Sequence, residues 1–214
     1  MHQTRVKFRL AKKSDASDLA SIHIECGFQQ VGGFMHKLGR LFLAKYYDLF
    51  LREPGSVILL AVGSDDKALG FSSGTVDASE HFSSLRRNRV ILVLTMIPAL
   101  IKSPPLLREV LLRRRAIEGM CQFGSTSGPR GEYWAWRPTV KDPAAALVLR
   151  KRWCDLMRAL GCRKFQFELD VGNSDVNKYI DLFGSRVVQQ IVLPDGRRRM
   201  IMEEDLSVGR SRIK

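Results

Sequence analysis

The sequence predicts an α/β (α+β) chain with elements in the order βααββ, a helical block, then βαβαββ. Three observations predict it. Period-two alternation at Val6, Phe8 and Leu10, and again at Phe165, Phe167, Leu169 and Val171, marks strands. Helical spacing of Phe34, Leu38, Leu41, Phe42, Tyr46, Leu49 and Phe50 marks a helix. Two β-rich runs, "SVILLAV" and "ALGFSSGTV", flank Gly63-Ser64-Asp65-Asp66-Lys67, a polar connection of hairpin length.

In chain order, the first strand is followed by Ser/Asp caps between Ser14 and Asp18, then by a helix through Leu19, Ile22 and Ile24. Gly32-Gly33 separates this helix from the second, which Pro54-Gly55 ends, and the antiparallel hairpin follows. Residues 80–118 read as helical, with breaks at Pro98 and Pro104-Pro105 and an apolar face of Leu106, Leu107, Val110 and Leu111 on the last piece. Residues 119–131, with "CQFGSTSGPRG", read as a loop without a fixed fold of its own. Then come a strand at "EYWAW", a helix over 144–160 ending at Gly161, and a strand at "KFQFELDV". A helix over 174–183 ends at Gly184, and strands around "VVQQIVL" and "RRRMIMEEDL" close the chain with Pro194-Asp195-Gly196 as their turn. One domain over 1–206 is expected, followed by a basic tail over 207–214.

The 214 residues, 45% hydrophobic, supply one good-sized core. With 35 Lys+Arg against 22 Asp+Glu, the net charge of +13 favours phosphates, acidic cofactors or nucleic acid as partners. Nucleic acid ranks last, because Arg113-Arg114-Arg115 and Arg197-Arg198-Arg199 lack interleaved aromatics. Cys26, Cys121, Cys154 and Cys162 form no C-x-x-C pair, so neither a metal site nor a disulfide framework is expected. The N-terminus lacks the apolar core of a signal peptide, and the cytoplasm is the default expectation. The most apolar run, "VILVLTMIPALI", is too short to span a bilayer. It reads as a packed helix, or else, with its basic flanks over 86–102, as a peripheral membrane or partner contact.

The stretch most informative about chemistry is "RPTVKDPAAALVLRKRW", residues 137–153, where a strand feeds a basic helix. A strand-to-helix turn offers free backbone N–H groups to an anion. The same residues also make an ordinary helix start, with Asp142 as N-cap, Pro143 at the first helical position and three alanines behind. Arg150, Lys151 and Arg152 read as a solvated helix face or as phosphate contacts.

The element order, this turn, and Asp170, Asn173 and Phe183-Gly184 beyond it together resemble the GNAT superfamily of N-acetyltransferases. Many members read I-A-V-x-P-x-x-R-G-x-G-I-G, then a long helix, a strand and D-x-x-N-x-x-A-x-x-x-Y-x-x-x-G-F. The residues from Trp134 to Ala146 fall on the first pattern without a gap, with Lys141 where Arg or Gln is usual, Asp142 and Pro143 next in the turn, and Ala144 and Ala146 in place of glycines. The early block "LGRLFLAKYYDLFLREPGSVILLAV…ALGFSSGTVD" is also similar to members with a basic helical insertion after the third strand.

The resemblance implies a mixed, mostly antiparallel central sheet flanked by helices, with a basic helical insertion (about 80–118) between strands 3 and 4. It also implies acyl transfer from acetyl-CoA or another acyl-CoA to an amine on a small molecule or peptide. The pantetheine arm is expected between residues 133–136 and 165–171. Trp134, Trp136, Lys141, Asp142, Ala144, Ala145, Ala146 and Asn173 are the expected cofactor contacts. The frequent tyrosine acid of the family falls on Ile180, with Tyr179 about 100° round the helix as its substitute. Glu132 and Asp77 are the expected bases, with His23 as a third candidate. No metal is implied, and a homodimer is compatible. The altered turn keeps a second expectation open: a GNAT-fold binding or regulatory protein without catalysis.

Overall fold

The computed structural model describes residues 6–28, 33–120, 127–172, 183–192, 196 and 198–207, with 113–120 as backbone. Seven strands form one sheet in the order β1-β2-β3-β4-β5-β7-β6. They are β1 (Lys7–Leu10), β2 (Ser56–Val62), β3 (Ala68–Thr75), β4 (Arg130–Trp136), β5 (Lys164–Asp170), β6 (Arg186–Val192) and β7 (Arg198–Asp205). All neighbours are antiparallel except β4 and β5, which are parallel and joined by a crossover helix, as parallel neighbours require.

Helices α1 (Ala16–Gly27) and α2 (Gly39–Phe50) cover one face, and α6 (Pro143–Ala159) covers the other. This double cover explains why "SVILLAV" is continuously apolar rather than alternating. Ile58, Leu60 and Val62 face α1 and α2, while Val57, Leu59 and Ala61 face α6. Trp153 of α6 is fully buried and donates its indole N–H to the Val57 carbonyl at 3.0 Å. The helical insertion between β3 and β4 consists of α3 (Ala78–Arg87), α4 (Arg89–Lys102) and α5 (Pro105–Met120). Its α3 is tied to the turn that follows α2 by His81 Nδ1 and Glu53 Oε2, 2.7 Å apart.

Several boundaries differ from the sequence reading. Pro98 lies inside α4 instead of ending it, because it falls on the exposed face, where water replaces the one lost backbone bond. Gly39, at a φ of +86°, separates a short 3-10 turn (Met35–Leu38) from α2, where one helix was expected. Residues 130–131, read as loop, open β4, and the Gly128 carbonyl accepts a bond from Ala78 N at 2.8 Å. Residues 174–182 of the expected helix and the turn residues Pro194 and Asp195 lie outside the described residues, as does Cys121, while Phe183 at its expected end is a buried turn residue.

The register shifts in three places, at Ala61/Val62 between β2 and β3, at Val187/Gln189 between β6 and β7, and where β4 passes β3. Ser73 pairs with Tyr133 but Gly74 pairs with Gly131, so Glu132 is the extra residue of a β-bulge. The small residues of β3 permit this close approach. A Cβ on Gly74 would collide with the Arg130 carbonyl and the Trp153 ring, and one on Gly70 would lie 2.6 Å from the Ala135 carbonyl. On its other side, β4 meets β5 in register at the single pair Arg130 and Gln166, supported by Gln166 N donating to Pro129 O at 3.2 Å.

Candidate active site

Beyond Arg130 no further register pair joins the two parallel strands among the described residues, so the ladder between them opens into a gap. The far wall carries Phe165 and Phe167, and Trp134 and Trp136 pack with them on the α6 side. Trp136 is fixed at both ends. Its indole N–H donates to Val140 O at 2.9 Å, and its carbonyl accepts the Cys26 thiol at 3.2 Å. Burial, partly offset by that bond, raises the Cys26 pKa to about 11, so the thiol stays protonated as the bond requires.

At the closed end of the gap lies a chain of charges across three strands. Arg130 Nε donates to Glu132 Oε1 at 2.9 Å, and its Nη2 donates to Glu168 Oε1 at 2.7 Å. Arg199 Nη1 donates to Glu168 Oε2 at 2.7 Å. Burial opposes the charge on Arg130, but Glu132 and Glu168 outweigh it and raise its pKa further. Burial likewise opposes ionisation of Glu168, and Arg130 and Arg199 reverse that effect, holding its carboxyl below the usual range. The bulge is what turns Glu132 toward Arg130 and the α2 side. Of this chain, the sequence reading found Glu132 alone. Arg130 was read as loop, and pairing across strands is invisible without register.

Beside it, His23 of α1 stacks on Tyr133 with ring centroids 3.9 Å apart, and its Nδ1 lies 2.7 Å from the Tyr47 hydroxyl. Burial lowers the His23 pKa to about 3, so this imidazole is neutral and engaged rather than poised to accept a proton. Tyr47 is buried too, which raises its pKa well above the ordinary phenol value.

Asp77 lies at the end of the hairpin strand as expected, but its carboxylate serves as the N-cap of α3, accepting from Ser79 N at 2.9 Å and Ser79 Oγ at 2.7 Å. These bonds hold its pKa below the ordinary value. Tyr179 and Asn173 lie outside the described residues.

At the open end, the turn after β4 is pinned by Arg137, whose backbone N–H donates to Leu69 O at 2.8 Å and whose Nε donates to Ala68 O at 2.7 Å. Arg137 also pairs with Glu25. Lys141 is exposed, and Asp142 caps α6 by accepting from Ala145 N at 2.9 Å. Pro143 has no N–H, and Ala146 N already donates to Asp142 O. The Ala144 N–H is therefore the remaining donor of this first turn, and Ala146 is buried rather than turned to the gap.

The reading of Arg150 as solvated or phosphate-binding is overturned. It lies on the buried face of α6, pairs with Glu204 at 2.9 Å and sits over the Trp153, Phe165 and Phe167 rings at 5.1, 4.9 and 5.4 Å. Burial lowers its pKa. Arg152 is exposed and stacks on Phe8 instead.

No protein-family model matches the chain, and no curated protein matches it. Solved structures do match, over nearly the full length of both partners. A PaiA N-acetyltransferase from Thermoplasma acidophilum in complex with coenzyme A superposes with a TM-score of 0.59 at 10% identity, over 94% of this chain and 99% of that one. A putative acetyltransferase, YncA, from Salmonella typhimurium with acetyl-CoA gives 0.58 at 11%, over 95% of each. A spermidine N-acetyltransferase chimera of Vibrio cholerae SpeG and hSSAT gives 0.58 at 10%, over 95% and 97%. Sheet order, the parting of the two central parallel strands and these superpositions agree: the chain carries the GNAT acetyltransferase fold.

Proposed function

We propose that the protein is an N-acyltransferase that moves an acetyl or other acyl group from acyl-CoA to an amine. The observation that carries this proposal is the parting of β4 from β5 directly beyond Arg130 and Gln166, beside the Glu132 bulge. An opening between two strands suits an extended amide-bearing arm, which would lie along β4 as an added strand does. The structures solved with CoA and acetyl-CoA support that ligand class.

In this proposal Glu132 takes a proton from the incoming amine, directly or through water, while Arg130 orients its carboxylate. The amine nitrogen bonds to the acyl carbon, the C–S bond breaks, and the departing thiolate takes up a proton, a role proposed for Tyr179. Trp134 and Trp136 wall the arm, Asn173 is a proposed cofactor contact, and Lys141 with the Ala144 N–H is proposed to meet the pyrophosphate. Asp77 and His23 are not proposed as bases, since a cap and a buried stack already occupy them. The acceptor is an amine on a small molecule or peptide.

Calorimetric titration of the full chain with acetyl-CoA, followed by thiol-release assays with polyamine and peptide amines, tests the proposal. Binding with turnover on any amine supports it, and no heat at millimolar ligand removes it. A second reading, a GNAT-fold binding or regulatory protein, is favoured by one observation: the Asp142 carboxylate already holds the Ala145 N–H that a pyrophosphate would use. Binding of acetyl-CoA without turnover on any amine tested would select it.

A further inference from the structure

Helix α4 is apolar all round, yet only one side of it is covered. Leu92 is buried, and Met96, Ala99 and Leu100 pack on the core built by α1 and α2. On the opposite side Val90, Ile91, Val93, Leu94, Ile97 and Ile101 are exposed, Val90 and Ile101 by 66% and 74%. Their spacing is that of a continuous helical stripe, a face that a lone protein in water rarely leaves bare. The neighbouring α5 adds exposed Leu107 and Leu111, one turn apart.

The charge around the stripe identifies what fits it. From residue 81 to 108 the chain holds five basic residues, Arg86, Arg87, Arg89, Lys102 and Arg108, and no carboxylate. All five are exposed, and they bracket both ends of α4. We propose that the uncovered face of α4, with its basic rim, docks this protein onto an anionic lipid surface.

The helix lies in the headgroup region rather than across the bilayer. Its 14 residues extend about 21 Å, short of the roughly 30 Å hydrocarbon thickness, and no described helix is long and apolar enough to span. Apolar side chains of this stripe enter the acyl boundary while the arginines and Lys102 meet lipid phosphates. A second copy docked face to face would oppose two basic rims, a repulsive arrangement.

Co-sedimentation of the full chain with phosphatidylserine-rich and with pure phosphatidylcholine vesicles tests this. The protein is expected to pellet with the anionic vesicles alone and to be released by salt. Arg86→Glu with Arg89→Glu should weaken binding by about fivefold or more per site, and Val93→Asp with Ile97→Asp should abolish it. These positions are exposed, so a cooperative thermal transition should persist, and the arginine pair carries the test if the aspartate pair does not fold. Equal pelleting with both vesicle types, no pelleting, or pelleting untouched by the arginine pair overturns the proposal. So does a dimer that Val93→Asp with Ile97→Asp splits while wild type ignores vesicles, an outcome that assigns the face to a second copy.

Discussion

The Asp142 carboxylate accepts a 2.9 Å hydrogen bond from the Ala145 N–H, so the first turn of α6 is closed by its own side chain. An incoming pyrophosphate must displace that carboxylate and bear its charge. Asp142→Gly should therefore tighten CoA binding by about tenfold, with Asp142→Asn intermediate because it keeps a neutral cap. Calorimetry checks this; weaker binding in both variants would mean that the anion does not use this turn.

Glu132 is the expected base. Glu132→Gln should lower kcat by about a hundredfold or more while changing KM little. A variant that keeps full activity would assign the proton to another group.

His23 predicts how stability depends on pH. Its folded pKa of about 3 lies below the ordinary 6.5, so between these values the unfolded chain binds the extra proton. Stability should be full above pH 6.5 and fall as pH drops toward 3, by up to about 1.4 kcal/mol per unit. Urea unfolding at stepped pH measures this, and His23→Asn should flatten that part of the dependence.

The glycines of β3 make a packing prediction. Gly74→Ala drives a methyl into the Arg130 carbonyl and the Trp153 indole, and neither can retreat cheaply. A loss of about 1–3 kcal/mol or more in unfolding free energy is expected, with Gly70→Ala behaving similarly.

The buried pair of Arg150 and Glu204 makes another. Arg150→Ala removes the guanidinium that pairs with the buried Glu204 carboxylate and should cost about 3–5 kcal/mol, whereas Arg150→Met with Glu204→Leu should recover most of it. Denaturant midpoints of the two variants decide.

Local chemistry was legible in the sequence. Period-two runs, helical spacing, the hairpin connection and the cap formed by Asp142 and Pro143 each depend on neighbours a few residues apart, and the structure has them. The order of elements and the motif remnants pointed to the fold because the chain alternates strands and helices in a way few architectures accommodate. Only the tertiary structure decided the rest. Glu132 meets Arg130 because β4 bulges against β3, and Glu168 and Arg199 join them because β5 and β7 are neighbours in the sheet. Arg150 looked solvated in a basic run, but helix phase turned it inward toward Glu204, 54 residues away. The same geometry left one side of α4 uncovered. Composition sets which side chains are apolar or charged, but which of them face one another depends on register and packing between segments far apart in the chain.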